Sequence, residues 1–148
     1  MRAAKQARVL TAIARVREAQ EEVAKVSVAA AQLEVDRLVE VKQARASALE
    51  AEQNEWARVL ESKLDPSITS AWAASVLRAS GELEQAGDDL QAAEREKLTR
   101  TEHWRLSRAR ADATGEIATR VRRKLARQSE EVASADAADL FLQRRVQP

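Results

Sequence analysis

Cysteine is absent from this 148-residue chain, which removes disulfides, thiol catalysis and cysteine-based zinc sites together and fits a reducing cytosol. Tyrosine is absent too, and there are only three glycines, two prolines and one phenylalanine. The turns and aromatic strand formers of a sheet are therefore missing, and helix is the default. Apolar stretches such as Val26 to Ala31 fall far below the roughly 20 residues that cross a bilayer, and no signal-peptide core follows Met1. A soluble, cytoplasmic protein without a membrane span is expected. His103 is the one histidine, and no phosphate-loop, dinucleotide-binding or nucleophile-elbow pattern occurs. With the groups of acid–base and nucleophilic chemistry missing, no enzyme activity, metal or cofactor is expected, and His103 is expected to face solvent.

What remains is alanine and charge. The hydrophobic fraction is 45%, but 31 of those 66 residues are alanine, which leaves 35 larger apolar side chains. That number is thin for a compact core and adequate for a narrow seam between helices, where alanine allows close approach. Charged residues make up 33% of the chain, with a formal net charge of +1, so the interest lies in their placement. Met1 to Arg17 carries five bases (Arg2, Lys5, Arg8, Arg15, Arg17) and no acid; Arg100 to Gln128 carries nine bases against three acids; Ala79 to Thr99 carries six acids against two bases.

Val9, Val16, Val23 and Ala30 recur every seven residues, with Ala12, Ala19, Val26 and Leu33 at the intervening step. This is an a/d pattern over about four heptads. It slips at Arg37, after which Leu38, Val41, Ala48, Leu49, Trp56, Val59 and Leu60 continue an apolar face, as a stutter in a continuous helix would. The strongest punctuation is Leu64-Asp65-Pro66-Ser67, because Pro66 is costly inside a helix but suits its first position, with Asp65 as N-cap. Beyond it Trp72, Ala79, Ala86 and Ala93 alternate with Val76, Leu83 and Leu90; the pattern becomes irregular over Lys97 to Ala113 and resumes with Ile117, Val121, Leu125, Val132 and Ala135. Gly81, Gly87 and Gly115 are expected to mark flexible or bent points.

The sequence thus predicts a single all-α domain over residues 1–148. It is a long two-helix antiparallel coiled-coil hairpin with a first helix over 1–64, a turn over 65–67, a second helix over 68–143, fraying beyond Ser134 and a frayed tail over 144–148. The arms span on the order of 90 Å and over 100 Å. Folding about Asp65 sets opposite one another residues whose numbers sum to roughly 130, so Trp56 faces Trp72, Val9 pairs with Val121, and everything after about Gln128 overhangs. Two chains pairing side by side, or swapping arms across the turn, satisfy the same heptads.

Arg120, Arg123, Lys124 and Arg127, with Arg122 beside them, form a basic stripe at helical spacing. One reading is a solvated flank, with Glu116 pairing to Arg120. The other uses the hairpin: the stripe lies beside Arg8, Arg15 and Arg17, so the open end is basic from both arms and suits an acidic protein or nucleic-acid phosphates. Trp56, Trp72 and Trp104 read as seam packing before they read as a docking row. The acids Glu82, Glu84, Asp88, Asp89, Glu94 and Glu96 read as a solvated face. Leu140, Phe141 and Leu142, beside Arg144 and Arg145, form an apolar cluster that invites partner docking or oligomerisation.

The size, the two long helices, the break Pro66-Ser67-Ile68-Thr69-Ser70 followed by Trp72, and the tail Asp139-Leu140-Phe141-Leu142-Gln143-Arg144-Arg145 resemble the stalk proteins of type III secretion and flagellar export, the FliJ/YscO/HrpO group. The resemblance implies a stalk similar to the γ subunit of rotary ATP synthases. Its paired terminal helices would enter a hexameric export ATPase and couple it to the export gate protein, with export chaperones as further partners of some members. It implies a cytoplasmic location, peripheral to the inner membrane through the export apparatus. The rival reading is a self-assembling structural or nucleic-acid-associated coiled coil.

Overall fold

A computed structural model describes residues 2–62 and 65–146, with side chains through Arg145. The chain is all-α, with α1 at Arg2–Leu60 packed against α2 at Pro66–Val146 in an antiparallel hairpin. The first helix ends at Leu60, short of the expected 64, which lies outside the described residues as do 147 and 148. The second begins at Pro66 rather than 68 and reaches Val146 rather than 143, so no fraying sets in at Ser134. Ala133, Ala135, Ala137 and Ala138 favour helix, and Arg144 and Arg145 in the last turn complement its negative end.

The break follows from local chemistry. Asp65 Oδ1 accepts the Ser67 N–H at 3.0 Å, and the Asp65 carbonyl accepts the N–H groups of Ile68 and Thr69 at 3.1 and 3.2 Å. Asp65 is therefore the N-cap and Pro66 the first helical residue, whose missing N–H costs nothing there. The Ser67 hydrogen bonds hold the Asp65 carboxyl below its ordinary range. α1 finishes in a tighter turn, with the Glu61 and Ser62 N–H groups donating to the carbonyls of Arg58 and Val59 at 3.3 and 3.1 Å.

The chain divides into two compact units. One is Met1–Val23 with Trp104–Pro148, the other Ala24–His103. In the second unit, Ala24, Ala31, Val35, Leu38 and Ala86 are buried, and Val28, Leu49, Trp56, Val59, Trp72, Val76, Ala79, Leu83, Leu90 and Ala93 are half-buried. Three bridges set its register: Arg100 Nη1 donates to the Ser27 carbonyl at 3.3 Å, Arg45 Nη1 to Glu82 at 2.8 Å, and Ser75 Oγ to Glu52 at 3.0 Å. Each pair of numbers sums to 127, close to the expected 130. Trp56 thereby falls opposite residue 71, beside Trp72, and both indoles are half-buried. Along α1, Arg37 donates two hydrogen bonds to Glu34 at 2.7 and 2.9 Å, lowering that carboxyl and raising the guanidinium.

In the first unit Ala14, Ser107, Ala111 and Ala118 are buried, and Ala7, Leu10, Arg17, Glu21, Trp104, Thr114, Val121 and Leu125 are half-buried. Trp104 Nε1 donates to Glu21 Oε1 at 3.0 Å. No described buried side-chain nitrogen or oxygen lacks a partner, so polar groups on the seam carry no desolvation penalty of that kind.

These burial patterns correct the expected register. The α1 positions facing α2 are 7, 10, 14, 17, 21, 24, 28, 31, 35 and 38, a three-four repeat that reaches 49, 56 and 59 without a stutter. Val9, Val16, Val23, Val26 and Leu33, expected on the seam, are all exposed. The apparent slip at Arg37 is the point where the more apolar side of one helix changes: before it the outer face is the more hydrophobic, after it only the inner face persists. On α2 the repeat is unbroken through 97, 100, 104, 107, 111, 114, 118, 121 and 125. The irregularity over Lys97 to Ala113 is polar occupancy of a constant register, and Ile117 and Val132 are exposed. α2 also passes through Gly81, Gly87 and Gly115 without interruption or left-handed backbone, so the expected flexible points are ordinary helix.

Candidate partner-docking site

The basic residues singled out from the sequence fall in the first unit. Arg8 and Arg15 are exposed on α1. Arg17 is half-buried on the inner face, its Nη1 3.4 Å from Gln20 Oε1, so it is drawn partly into the seam. On α2, Arg120, Arg123, Lys124 and Arg127 are exposed and line a shallow recess of about 480 Å³ with Gln128 and Glu131. Among the described residues none of these four bases forms an ion pair, including the anticipated one between Glu116 and Arg120. Four cations on one helical face, with Glu131 the one acid lining the recess, repel one another, and an anion placed there would lower that repulsion.

A second recess of about 580 Å³ is lined by Arg2, Lys5, Gln6, Val9, Leu10 and Val121. Val9 and Val121 line it together, as the hairpin requires, but Val9 stays half-exposed because Leu10 is the residue on the inner face. The unit thus presents cations on both helices beside an apolar floor, a combination suited to an acidic, partly apolar protein surface.

From Ala126 to Arg145 every residue of α2 is exposed, as the expected overhang requires. Leu140 and Phe141 stand 62% and 64% exposed with Leu142 beside them, and the Arg145 guanidinium lies 5.9 Å from the Phe141 ring. An 81-residue helix therefore ends in a stretch with apolar side chains and no covering element among the described residues. Arg108 lies 5.8 Å from the Trp104 ring, which, with the Glu21 hydrogen bond, fixes that indole in the seam. His103 is exposed.

Sequence reasoning found the valine row on α1 but set it on the seam, whereas it is exposed. Counting back in sevens from Trp56 and Leu38 reaches Glu21, Ala14, Arg17 and Leu10 and would have identified the true inner face. Among the described residues no helix is long and apolar enough to cross a membrane, and no cluster of potential metal ligands occurs. Comparisons of the chain with known protein families, with curated proteins and with solved structures find no match.

Proposed function

We propose that this chain is a stalk component of a type III secretion or flagellar export ATPase complex. Its basic unit docks in the hexameric ATPase, and the helical pair couples that ring to the export gate. The observation that carries this reading is the unpaired basic face of Arg120, Arg123, Lys124 and Arg127 in the unit that also holds the bases of the α1 N-terminus and the uncovered end of α2. Such a surface suits an anionic partner, and a stiff helical pair transmits displacement without chemistry of its own. Export chaperones are a further class of partner for the apolar end at Leu140 and Phe141. On this reading the protein is cytoplasmic, held at the inner membrane through the export apparatus.

The test is binding of the full chain to a hexameric export ATPase together with the ATPase rate. The rate should change on addition of the chain, and the triple substitution Arg120→Glu, Arg123→Glu, Arg127→Glu should abolish the change while leaving helicity intact, since all three side chains are exposed. An unaltered rate with the native chain would refute the stalk reading. Co-purifying RNA or DNA, with affinity falling steeply in salt, would assign the same cations to phosphates instead.

A further inference from the structure

α1 carries two apolar faces, and α2 covers one. The outer face runs Val9, Ala12, Val16, Ala19, Val23, Val26, Ala30 and Leu33, alternating three- and four-residue steps with no polar interruption. Its valines and leucine are 51%, 55%, 71%, 65% and 70% exposed in chain order. The inner face over the same stretch carries the charged Arg17 and Glu21. The exposed row therefore has the more regular coiled-coil pattern, which needs a second helix with the same repeat.

Charge selects that helix and its direction. From Arg2 to Arg17 α1 has five bases and no acid, whereas from Glu18 to Glu40 it has six acids against two bases. A parallel copy would set bases against bases. An antiparallel copy sets the basic stretch against the acidic one, with Arg8 beside Asp36, and aligns the apolar row with itself: Val9 with Leu33, Ala12 with Ala30, Val16 with Val26, and Ala19 with Val23. Two-fold symmetry repeats each layer. The row ends at both limits of this register, since residues 37 and 40 are Arg and Glu. Five large aliphatic side chains on each copy, all more than half exposed, with their flanks, hide on the order of 1,000 Å², the lower bound for a specific interface.

We infer that the outer face of α1 binds a second copy of this chain in an antiparallel arrangement centred between Ala19 and Val23. The pairing does not depend on the ATPase reading, and it uses α1 alone, leaving the Arg120 to Arg127 face of α2 free.

Sedimentation equilibrium of the full chain should show a monomer–dimer equilibrium at micromolar concentration. Val16→Arg and Val26→Glu, each made alone, should weaken self-association at least tenfold while circular dichroism stays unchanged, because both side chains are exposed. Mixing the two variants should restore association: the antiparallel pair then joins Arg to Glu in one layer and Val to Val in its symmetry mate. A parallel pair meets 16 with 16 and 26 with 26, so mixing relieves like-charge repulsion but forms no Arg–Glu layer and leaves one charge against valine in each of two layers, short of native affinity. A native chain that stays monomeric at high micromolar concentration, including one whose row is covered by another protein, overturns the inference, and so does failure of the mixture to associate.

Discussion

The two units of the hairpin use the same helix pair for different ends. Residues 1–23 with 104–148 hold 15 bases and nine acids, a net charge of +6; residues 24–103 hold ten bases and 15 acids, a net charge of −5. Burial differs in the same sense. The buried side chains of the first unit are Ala14, Ser107, Ala111 and Ala118, whereas the second buries Val35 and Leu38 among its alanines. A near-neutral chain is thus made of a basic, weakly cored unit that also carries an unbroken run of 20 exposed residues, 126–145, and an acidic unit with larger side chains in its seam. Apolar burial and positive charge are concentrated in different units, and global net charge conceals the division.

The largest effect should come from the seam of the second unit. Leu38→Ala removes one of the two large buried side chains there and should lower stability by about 2–4 kcal/mol in urea denaturation. In native-state hydrogen exchange, amides of 24–62 and 65–103 should be protected more strongly than those of 2–23 and 104–125. Equal protection would erase the contrast. The first unit should respond to the opposite change: Ala118 is 2% exposed, and Ala118→Leu should cost about 1–3 kcal/mol by overpacking a position that only a methyl fits.

These positions also show what the sequence makes legible. Helix content, the hairpin, the turn and the capping role of Asp65 follow from proline chemistry and heptads, and the structure carries each. The pairing sum came within a few residues, because one well-placed turn fixes an antiparallel register. The face of α1 did not, since hydrophobic periodicity reports which side of a helix is most apolar, and in α1 that side is the outer one. Where Arg17 and Glu21 sit on the seam, the inner face loses the contest on hydrophobicity while winning it in packing. The same blindness hid the continuous α2 repeat through Lys97, Arg100 and Ser107. The basic stripe was legible as spacing; that its four cations lack ion pairs was not.

Smaller effects sharpen the comparison. Trp104→Phe keeps an aromatic side chain, trims the indole to a smaller phenyl ring and deletes the donor to Glu21. It should cost about 0.5–1.5 kcal/mol, measured by thermal denaturation, with the loss confined to exchange in the first unit. Asp65→Ala should remove a pH-dependent contribution in the second. The Asp65 carboxyl titrates below its unfolded value, so its stabilisation is complete above the unfolded pKa and disappears as pH falls through the folded one. The native chain should therefore lose more stability than the variant on acidification below about pH 4, and parallel acid curves would remove the cap from the account of the turn.

The smallest effect is expected at the most conspicuous cross-helix ion pair. Arg45 and Glu82 meet at 2.8 Å, with side chains 49% and 45% exposed. Both occupy the acidic unit, where Arg45 is one of ten bases among 15 acids, so attraction to the surrounding charge adds to the pair and solvent screens both. Arg45→Ala should cost no more than about 0.5 kcal/mol at physiological salt, and Arg45→Ala with Glu82→Ala should differ from the sum of the single changes by less than that. A coupling several times larger would mean that charge as well as aliphatic burial holds this unit together, and the division of labour between the units would have to be redrawn.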